Sequence, residues 1–443
     1  MPPRRSTTGS AATSDDAATT APDVAPAHAA TADVAAVATV DADDSTAAAT
    51  AVVQNVASGA AARAMSSAEP RPSFARGLWR IAAAHASSGN RVALLRDGPQ
   101  TFDAMLDAIH TATRWVFLES YIYRADTVGM RFRDALVAAA RRGVEVSLLT
   151  DWIGARGTPG SLWQEMRDEG VVVRIFSPPA LRSWLGLLPR DHRKLLVVDE
   201  RVGVTGGIGI AEDWAETDGR RRSRSRWRDT AVRIEGPAAA DMARAFQSMW
   251  KRAIQRERRD AARRLVRRAS GADVNPDVHE GAVVGIVEGE PWRLRVARAL
   301  QLQAVSAERT IWIASAYFVP SVAEIEALAG AARDGVDVRI LVPSKYDHPW
   351  VRGLTRRAYR RLVRNGVRIY EWQGTMMHAK TSVVDGRWVR VGSTDFNPLG
   401  VVINYELDAV IEDRRLGADA QEMFLADLEQ SVEITPATMP SPD

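Results

Sequence analysis

Apolar and polar positions along the chain switch between two periods. Residues 105–154 hold an apolar helical stretch, a strand-like run at 115–123 (Trp-Val-Phe-Leu-Glu-Ser-Tyr-Ile-Tyr), a second helical stretch near 128–142 and a strand-like run at 143–149. Residues 294–343 repeat that order, with strand-like runs at 310–318 and 335–342. Runs rich in β-branched and aromatic residues, alternating with helices of about 12 residues, predict α/β lobes with mixed or parallel sheets. Each unit then passes through a further helix and a short strand, 171–176 and 367–372, into an eight-residue strand-like stretch. The chain therefore reads as a duplicated unit: α/β, with two pseudo-symmetric lobes, each a mixed β-sheet flanked by helices on both faces. The repeat is too long for a solenoid, whose units run about 20 to 50 residues.

The eight-residue stretches carry the candidate chemistry. His192-Arg193-Lys194-Leu195-Leu196-Val197-Val198-Asp199 and His378-Ala379-Lys380-Thr381-Ser382-Val383-Val384-Asp385 both read H-x-K-x-x-x-x-D. Gly207 and Ser393 both follow their histidine by fifteen residues (207 − 192 and 393 − 378). On a strand, residues i and i+2 share a face, so His192 projects with Lys194 and His378 with Lys380. Asp199 and Asp385 have the opposite parity and fall at the strand ends, which suits them to holding a turn. A single H-x-K on a strand is more often an ordinary core or surface feature, and it is the duplication that carries the reading. Paired imidazoles suit phosphoryl transfer: one attacks phosphorus, while the other protonates the departing alkoxide and later deprotonates the acceptor. A reference pKa of about 6.5 keeps either form of histidine accessible near neutrality. The lysines would stabilise charge on the non-bridging oxygens. Amides around Gly207 and Gly209, with the Ser393 hydroxyl, would complete an anion cradle. No metal is called for, since there is no H-E-x-x-H and no dense cluster of His and carboxylates. Tyr121, Tyr123, Trp152, Tyr317 and Phe318 lie at or near strand ends, as core residues or as pocket lining.

Composition divides the chain. Residues 1–72 are rich in Ala and Thr, lack core-forming residues and read as a disordered tail. Residues 73–270 form the expected first lobe, 271–430 the second, and 431–443 a disordered C-terminal tail. No run approaches the roughly 18 uninterrupted apolar residues of a membrane span. Arg4-Arg5 is followed by Ser-Thr-Thr, not by the apolar stretch of a secretory signal. Cysteine is absent, which removes disulfide and thiolate chemistry. The formal charge is only +3, but arginines concentrate at 220–228 and 252–268, either as solvated faces or as a patch for an anionic partner. Leu181 to Leu188, just before the first motif, is either a buried helix or an apolar loop that dips into a membrane.

On its duplicated signature the chain resembles the phospholipase D superfamily and, within it, the bacterial cardiolipin synthases. The resemblance runs from about Arg91 to Asp413 and takes in residues 227–237, 316–320 and Asn404-Tyr405-Glu406. It implies a bilobal molecule whose motifs meet at a pseudo-twofold interface, and a covalent phosphohistidine intermediate. It further implies His192 as nucleophile, His378 as general acid and base, and a carboxylate downstream of each motif orienting that motif's histidine: Asp229 in the first half, Glu406 in the second. The implied catalytic set is His192, Lys194, Asp199, His378, Lys380, Asp385, Asp229 and Glu406, with Gly207, Gly209, Ser393 and Asp395 at the phosphate. Four positions depart from the family pattern. Gly209 and Asp395 stand where Asn is usual, Asn397 where Asp is common, and Gly400 where Ser is common. An anionic Asp395 beside a phosphodiester calls for a partner such as Lys380, or for a proton. The implied activity condenses two phosphatidylglycerol molecules to cardiolipin and glycerol without any cofactor. The implied partners are that phospholipid and an anionic membrane, with no nucleic acid, for a protein held peripherally at the cytoplasmic face of the inner membrane; the oligomeric state stays open. A hydrolase of the same superfamily shares every catalytic residue. The same residues would also serve a metal-independent nuclease, or persist in a non-catalytic lipid-binding relative disabled at Gly209 and Asp395.

Overall fold

A computed structural model describes residues 74–177, 189–215, 226–257 and 281–439. The expected tail at 1–72, the Leu181–Leu188 segment and the greater part of both arginine runs lie outside the described residues.

In the first half the elements are α1 (Phe74–Ala82), β1 (Ala86–Arg96), α2 (Asp97–His110), β2 (Trp115–Ser120), α3 (Thr127–Arg141), β3 (Glu145–Asp151), α4 (Gly160–Asp168), β4 (Val172–Phe176), β5 (Lys194–Val198), β6 (Val202–Gly206), β7 (Thr230–Glu235) and α5 (Pro237–Glu257). The second half brings β8 (Ala282–Gly289), α6 (Arg295–Ser306), β9 (Thr310–Ser315), α7 (Val322–Arg333), β10 (Asp337–Pro343), α8 (Pro349–Arg364), β11 (Arg368–Trp372), β12 (Lys380–Val384), β13 (Trp388–Gly392), β14 (Glu406–Glu412), α9 (Arg414–Leu428) and β15 (Ser431–Ile434). Local chemistry sets several boundaries. Asp126 caps α3 by accepting from the Gly129 amide, and Ser321 with Glu324 forms a reciprocal capping box at α7.

The strands run in the order β4-β3-β2-β5-β6-β7-β1-β8-β14-β13-β12-β9-β10-β11-β15, so the second half repeats the first outward from the β1/β8 junction. Within each half three strands are parallel (β2, β3, β4; β9, β10, β11) and the rest antiparallel, the mixed sheet expected of each lobe. β1 is the hinge between the halves: its first residues pair with β8 and residues 91–96 pair with β7.

The motif strands are buried on both faces, which explains the apolar run at 195–198 in the first, while the second also buries Thr381 and Ser382. Leu195 and Val197 enter a cluster shared by both lobes, while Leu196 and Val198 enter the first lobe's own core. Val383 and Val384 divide in the same way between the shared cluster and the second lobe's core. The shared cluster brings α5 and α9 together with Val232 and Ile234 from one lobe and Val389, Val391 and Ile411 from the other. Each sheet therefore has helices on its outer face, and on its inner face one long helix plus the opposite lobe. No helix among the described residues is long and apolar enough to cross a membrane.

Two expected boundaries change. α1 falls within the stretch expected for the first lobe but packs on the second. Phe74 meets Trp388 edge-on at 4.9 Å, and Leu78 and Ala82 join the cluster of Val287, Ile311 and Val410. Its apolar face covers one flank of β8 and α6. At the other end, Ser431–Ile434 is ordered, not tail. It pairs antiparallel with β11 and covers what would otherwise be a sheet edge.

The last arginines of the 220–228 run are used inside the molecule. Arg226 donates to Asp97 (3.1 Å). Arg228, 4% exposed, donates to Asp427 of α9 (2.7 and 2.9 Å) and faces Asp97 (3.4 Å), tying the lobes together. Arg228→Ala removes the buried guanidinium shared by Asp97 and Asp427, leaving them the part-exposed Arg226 (3.1 Å) and Arg96 (2.9 Å). It is expected to cost about 3–5 kcal/mol, read as a lower denaturant midpoint at unchanged slope.

Candidate active site

Both motif histidines sit at the start of a central strand, at the end of the sheets where the parallel strands finish. Each is placed by a backbone pairing across the lobe boundary. The His192 amide donates to the Tyr405 carbonyl (3.0 Å) and the Tyr405 amide to the Arg190 carbonyl (2.8 Å). Symmetrically, the His378 amide donates to the Arg228 carbonyl (2.6 Å) and the Arg228 amide to the Met376 carbonyl (2.9 Å). The residue after each partner is a carboxylate, so the carboxylates are exchanged between lobes. His192 Nδ1 lies 3.0 Å from Glu406 Oε1, and His378 Nδ1 lies 2.9 Å from Asp229 Oδ2. The expectation that each carboxylate serves the histidine of its own half is thus corrected. A downstream position in sequence does not say which side of the interface the strand end reaches.

Lys194 and Lys380 share their histidines' faces, each ammonium donating to the histidine carbonyl two residues back (2.6 and 2.7 Å). Tyr121 and Tyr317 stand in matching positions, with the lysine nitrogens 5.4 and 5.6 Å from their ring centres. Tyr121 meets His192 edge-on at 4.9 Å, and Trp214, Trp227 and Tyr317 surround His378 at 5.5 to 6.0 Å. The two halves differ in access: the His192 side chain is 16% exposed and that of His378 5%.

This enclosure sets the protonation states. Burial first, then the two lysine charges, hold both imidazoles well below their ordinary pKa, so both rings are neutral at rest. Burial pulls Lys194 down to about 8. It pushes Asp229 up to about 6 and Glu406 up to about 8, against the opposing pull of the lysines.

The remaining expected residues divide. Asp395 lies in the site, where Lys380 Nζ stands 3.4 Å from its Oδ2 and the Tyr317 amide donates to Oδ1 (3.2 Å). The buried carboxylate at this position thus has the lysine partner it required. Asp199 and Asp385 are at the far ends of β5 and β12 and do not face the histidines. Asp199 accepts from the amides of Thr113, Arg114 and Trp115, and Asp385 from those of Glu308, Arg309 and Thr310. Both fix the entry to the neighbouring strand from a left-handed backbone (φ 53°).

Ser393 and Gly207 do not offer the expected anion cradle. The Ser393 hydroxyl donates to the Glu406 carboxylate and accepts from the Leu407 amide, while its own amide donates to the Leu407 carbonyl (3.1 Å). Gly207 gives its amide to the Thr230 carbonyl, and a Cβ there would collide with Asp229 Oδ1. Absence of a side chain is what lets Asp229 reach His378. In that half the Trp214 indole donates to Asp229 (2.9 Å), doing what the Ser393 hydroxyl does for Glu406. Gly209 backs onto Ile122 and Trp214, where a Cβ would come within 3.0–3.2 Å. A Cβ on Gly400 would lie 2.7 Å from the Asp395 carbonyl oxygen, so a serine there would press on the segment carrying Asp395.

Sequence reasoning did not single out Trp214, Trp227 or the charges under His192. Arg193, buried on the opposite face from His192 and Lys194, meets Glu119 (3.2 Å) and Glu288 (3.2 Å). The signal was present: strand alternation points Arg193 into the core, and a buried guanidinium needs a carboxylate.

The chain is similar to known proteins. The family described as cardiolipin synthase, PLD-like domain, matches residues 105–250 and 302–428, one stretch in each lobe. A cardiolipin synthase A of Pseudomonas putida (strain GB-1) is 33% identical over 353 residues, covering 79% of this chain and 70% of that protein. A cardiolipin synthase B of Shigella flexneri is 32% identical over 330 residues, 74% of this chain and 77% of that protein. Among solved structures, the phosphatidylserine synthase of Haemophilus influenzae Rd KW20 shares the fold with a TM-score of 0.62 at 14% identity, over 82% of this chain and 92% of that one.

Proposed function

Since the chain belongs to the cardiolipin synthase branch of the phospholipase D superfamily, we propose that it is a phosphatidyltransferase that makes cardiolipin from two molecules of phosphatidylglycerol. The observation that carries this reading is the crosswise pair of imidazole–carboxylate contacts, which engages each Nδ1 and leaves each Nε2 as the reacting nitrogen. His192 attacks phosphorus, the bond to the glycerol headgroup breaks, and His378 gives that alkoxide a proton. The headgroup hydroxyl of a second phosphatidylglycerol then loses its proton to His378 and attacks the phosphohistidine, and the P–N bond breaks. One phosphodiester replaces another, so no nucleotide is consumed.

The two halves are unequal in the sense this division of labour needs. His192 is the more exposed ring, as a nucleophile must be. Asp229, at about 6, is ionised at neutral pH and favours the imidazolium form of His378 once a phosphate has offset the lysine charges. Glu406, at about 8, carries no full charge at neutral pH, which keeps His192 a neutral base. The aromatic enclosure limits water and favours a lipid alcohol as acceptor. Incubation with headgroup-labelled phosphatidylglycerol tests the proposal. Cardiolipin and glycerol in equal amounts support it, while phosphatidic acid as the sole lipid product, or no new lipid, overturns it.

A pH profile follows. Below about 6 Asp229 takes a proton and no longer supports the His378 imidazolium; above about 8 Lys194 loses its charge while Glu406 gains one, both against binding an anion. kcat/KM is therefore expected to be bell-shaped with limbs near 6 and 8. In kcat the alkaline limb should move upward, because a bound phosphate raises the Lys194 pKa.

A further inference from the structure

We propose that the loop after β8 and the turn before β14 form an apolar ledge that inserts into the surface of an anionic lipid bilayer and delivers substrate to the histidines. Trp292, in the loop after β8, is 70% exposed, the highest exposure of any large hydrophobic side chain among the described residues. An exposed indole marks a contact surface where it is contiguous with other partly exposed apolar side chains, as it is here. The loop is held, not loose. The Trp292 amide donates to the Val402 carbonyl (2.7 Å), and both Trp292 and Leu294 adopt left-handed backbone, a costly state for residues with side chains (φ 65° and 52°). Val402 belongs to the π-helical turn Leu399–Ile403 (Leu-Gly-Val-Val-Ile), whose aliphatic side chains are all partly exposed.

Position and charge both select a bilayer as the occupant. β8 ends at Gly289, opposite the first residue of β14, Glu406, which holds His192. Ledge and catalytic histidines are therefore at the same end of the sheets. The turn runs directly into Asn404, whose side-chain oxygen accepts from the Arg190 amide, and into Tyr405, which anchors the His192 backbone. Arg293, exposed beside the indole, supplies a cation at the depth of lipid phosphates, and Trp with Arg over an aliphatic base is the composition of an interfacial anchor. The delivery role rests on the phosphatidylglycerol reading; the docking itself does not.

The full-length protein tests it, with Trp292→Asp, Val402→Asp and the conservative Trp292→Phe. Sedimentation with vesicles of phosphatidylglycerol and phosphatidylcholine reads docking. Turnover of vesicular phosphatidylglycerol, against a short-chain form kept below its micellar concentration, reads delivery. Both Asp variants are expected to lose vesicle binding and vesicular turnover by tenfold or more while keeping short-chain turnover within twofold of wild type, and Trp292→Phe should retain all three. Undiminished vesicle binding by both Asp variants overturns the proposal. So does equal loss on both substrates with vesicle binding intact, which assigns the ledge to the fold of the site. A wild type that sediments with vesicles and turns over neither substrate refutes the phosphatidylglycerol reading while leaving the docking surface supported.

Discussion

His192→Ala is expected to abolish turnover, by roughly 10⁴- to 10⁶-fold in kcat, the scale on which loss of a covalent nucleophile is felt. Among the described residues the ring is the only imidazole of the first half-site, it is the more accessible of the pair, and Glu406 holds its Nδ1 at 3.0 Å. Lys194 donates to the backbone carbonyl of residue 192, not to the ring, so the variant keeps its strand, its lysine and the interlobe backbone bonds. The measurement is protein quenched in denaturing detergent at mildly alkaline pH after a brief exposure to phosphatidylglycerol labelled in the phosphatidyl group, then challenged with acid. Wild type should carry label in an acid-labile linkage and the variant none, with unchanged thermal unfolding. A labelled variant would move the nucleophile to His378.

Asp229→Asn is expected to lower kcat on phosphatidylglycerol by about 10⁴-fold, as removal of the carboxylate behind a catalytic imidazole does elsewhere. Its value lies in what it leaves standing. An activated leaving group such as p-nitrophenol departs without protonation, so the first chemical step with phosphatidyl-p-nitrophenol needs the nucleophile but not the acid. Asp229 contacts His378 across the lobe boundary (2.9 Å). Asp229→Asn should therefore behave like His378→Ala, giving a burst of one nitrophenol per site followed by slow turnover. Glu406→Gln should instead slow the burst itself, because its partner is His192. If Asp229→Asn abolished the burst as His192→Ala does, the carboxylate would be serving the histidine of its own half.

Much of the architecture was legible because duplication and strand parity are properties of the sequence. The repeated helix and strand order gave two lobes, and alternation gave His192 with Lys194 and His378 with Lys380 on common faces. The opposite parity of Asp199 and Asp385 pointed to the turn-holding contacts they make, whereas the resemblance had also counted both in the catalytic set, away from which their positions at the far strand ends place them. The required partner for Asp395 was readable from charge alone, since a buried carboxylate beside a lysine forms an ion pair. Other expectations failed where they depended on which surfaces meet. α1 is amphipathic in either lobe's service, and only the packing of Phe74 and Trp79 on Trp388 assigns it to the second. Ser393 and Gly207 occupy matching positions, yet one supplies a hydroxyl to its carboxylate and the other supplies empty space.

The sequence by itself determined which side chains each half-site presents together, because spacing along one strand fixes which of them share a face. Only the tertiary structure decided how the halves combine. The crossing of Glu406 to His192 and of Asp229 to His378 depends on backbone pairings between Tyr405 and Arg190 and between Arg228 and Met376, residues far apart in the chain. Such contacts leave no periodic trace, since they arise from how two sheets fold over a shared core and not from the pattern of either strand.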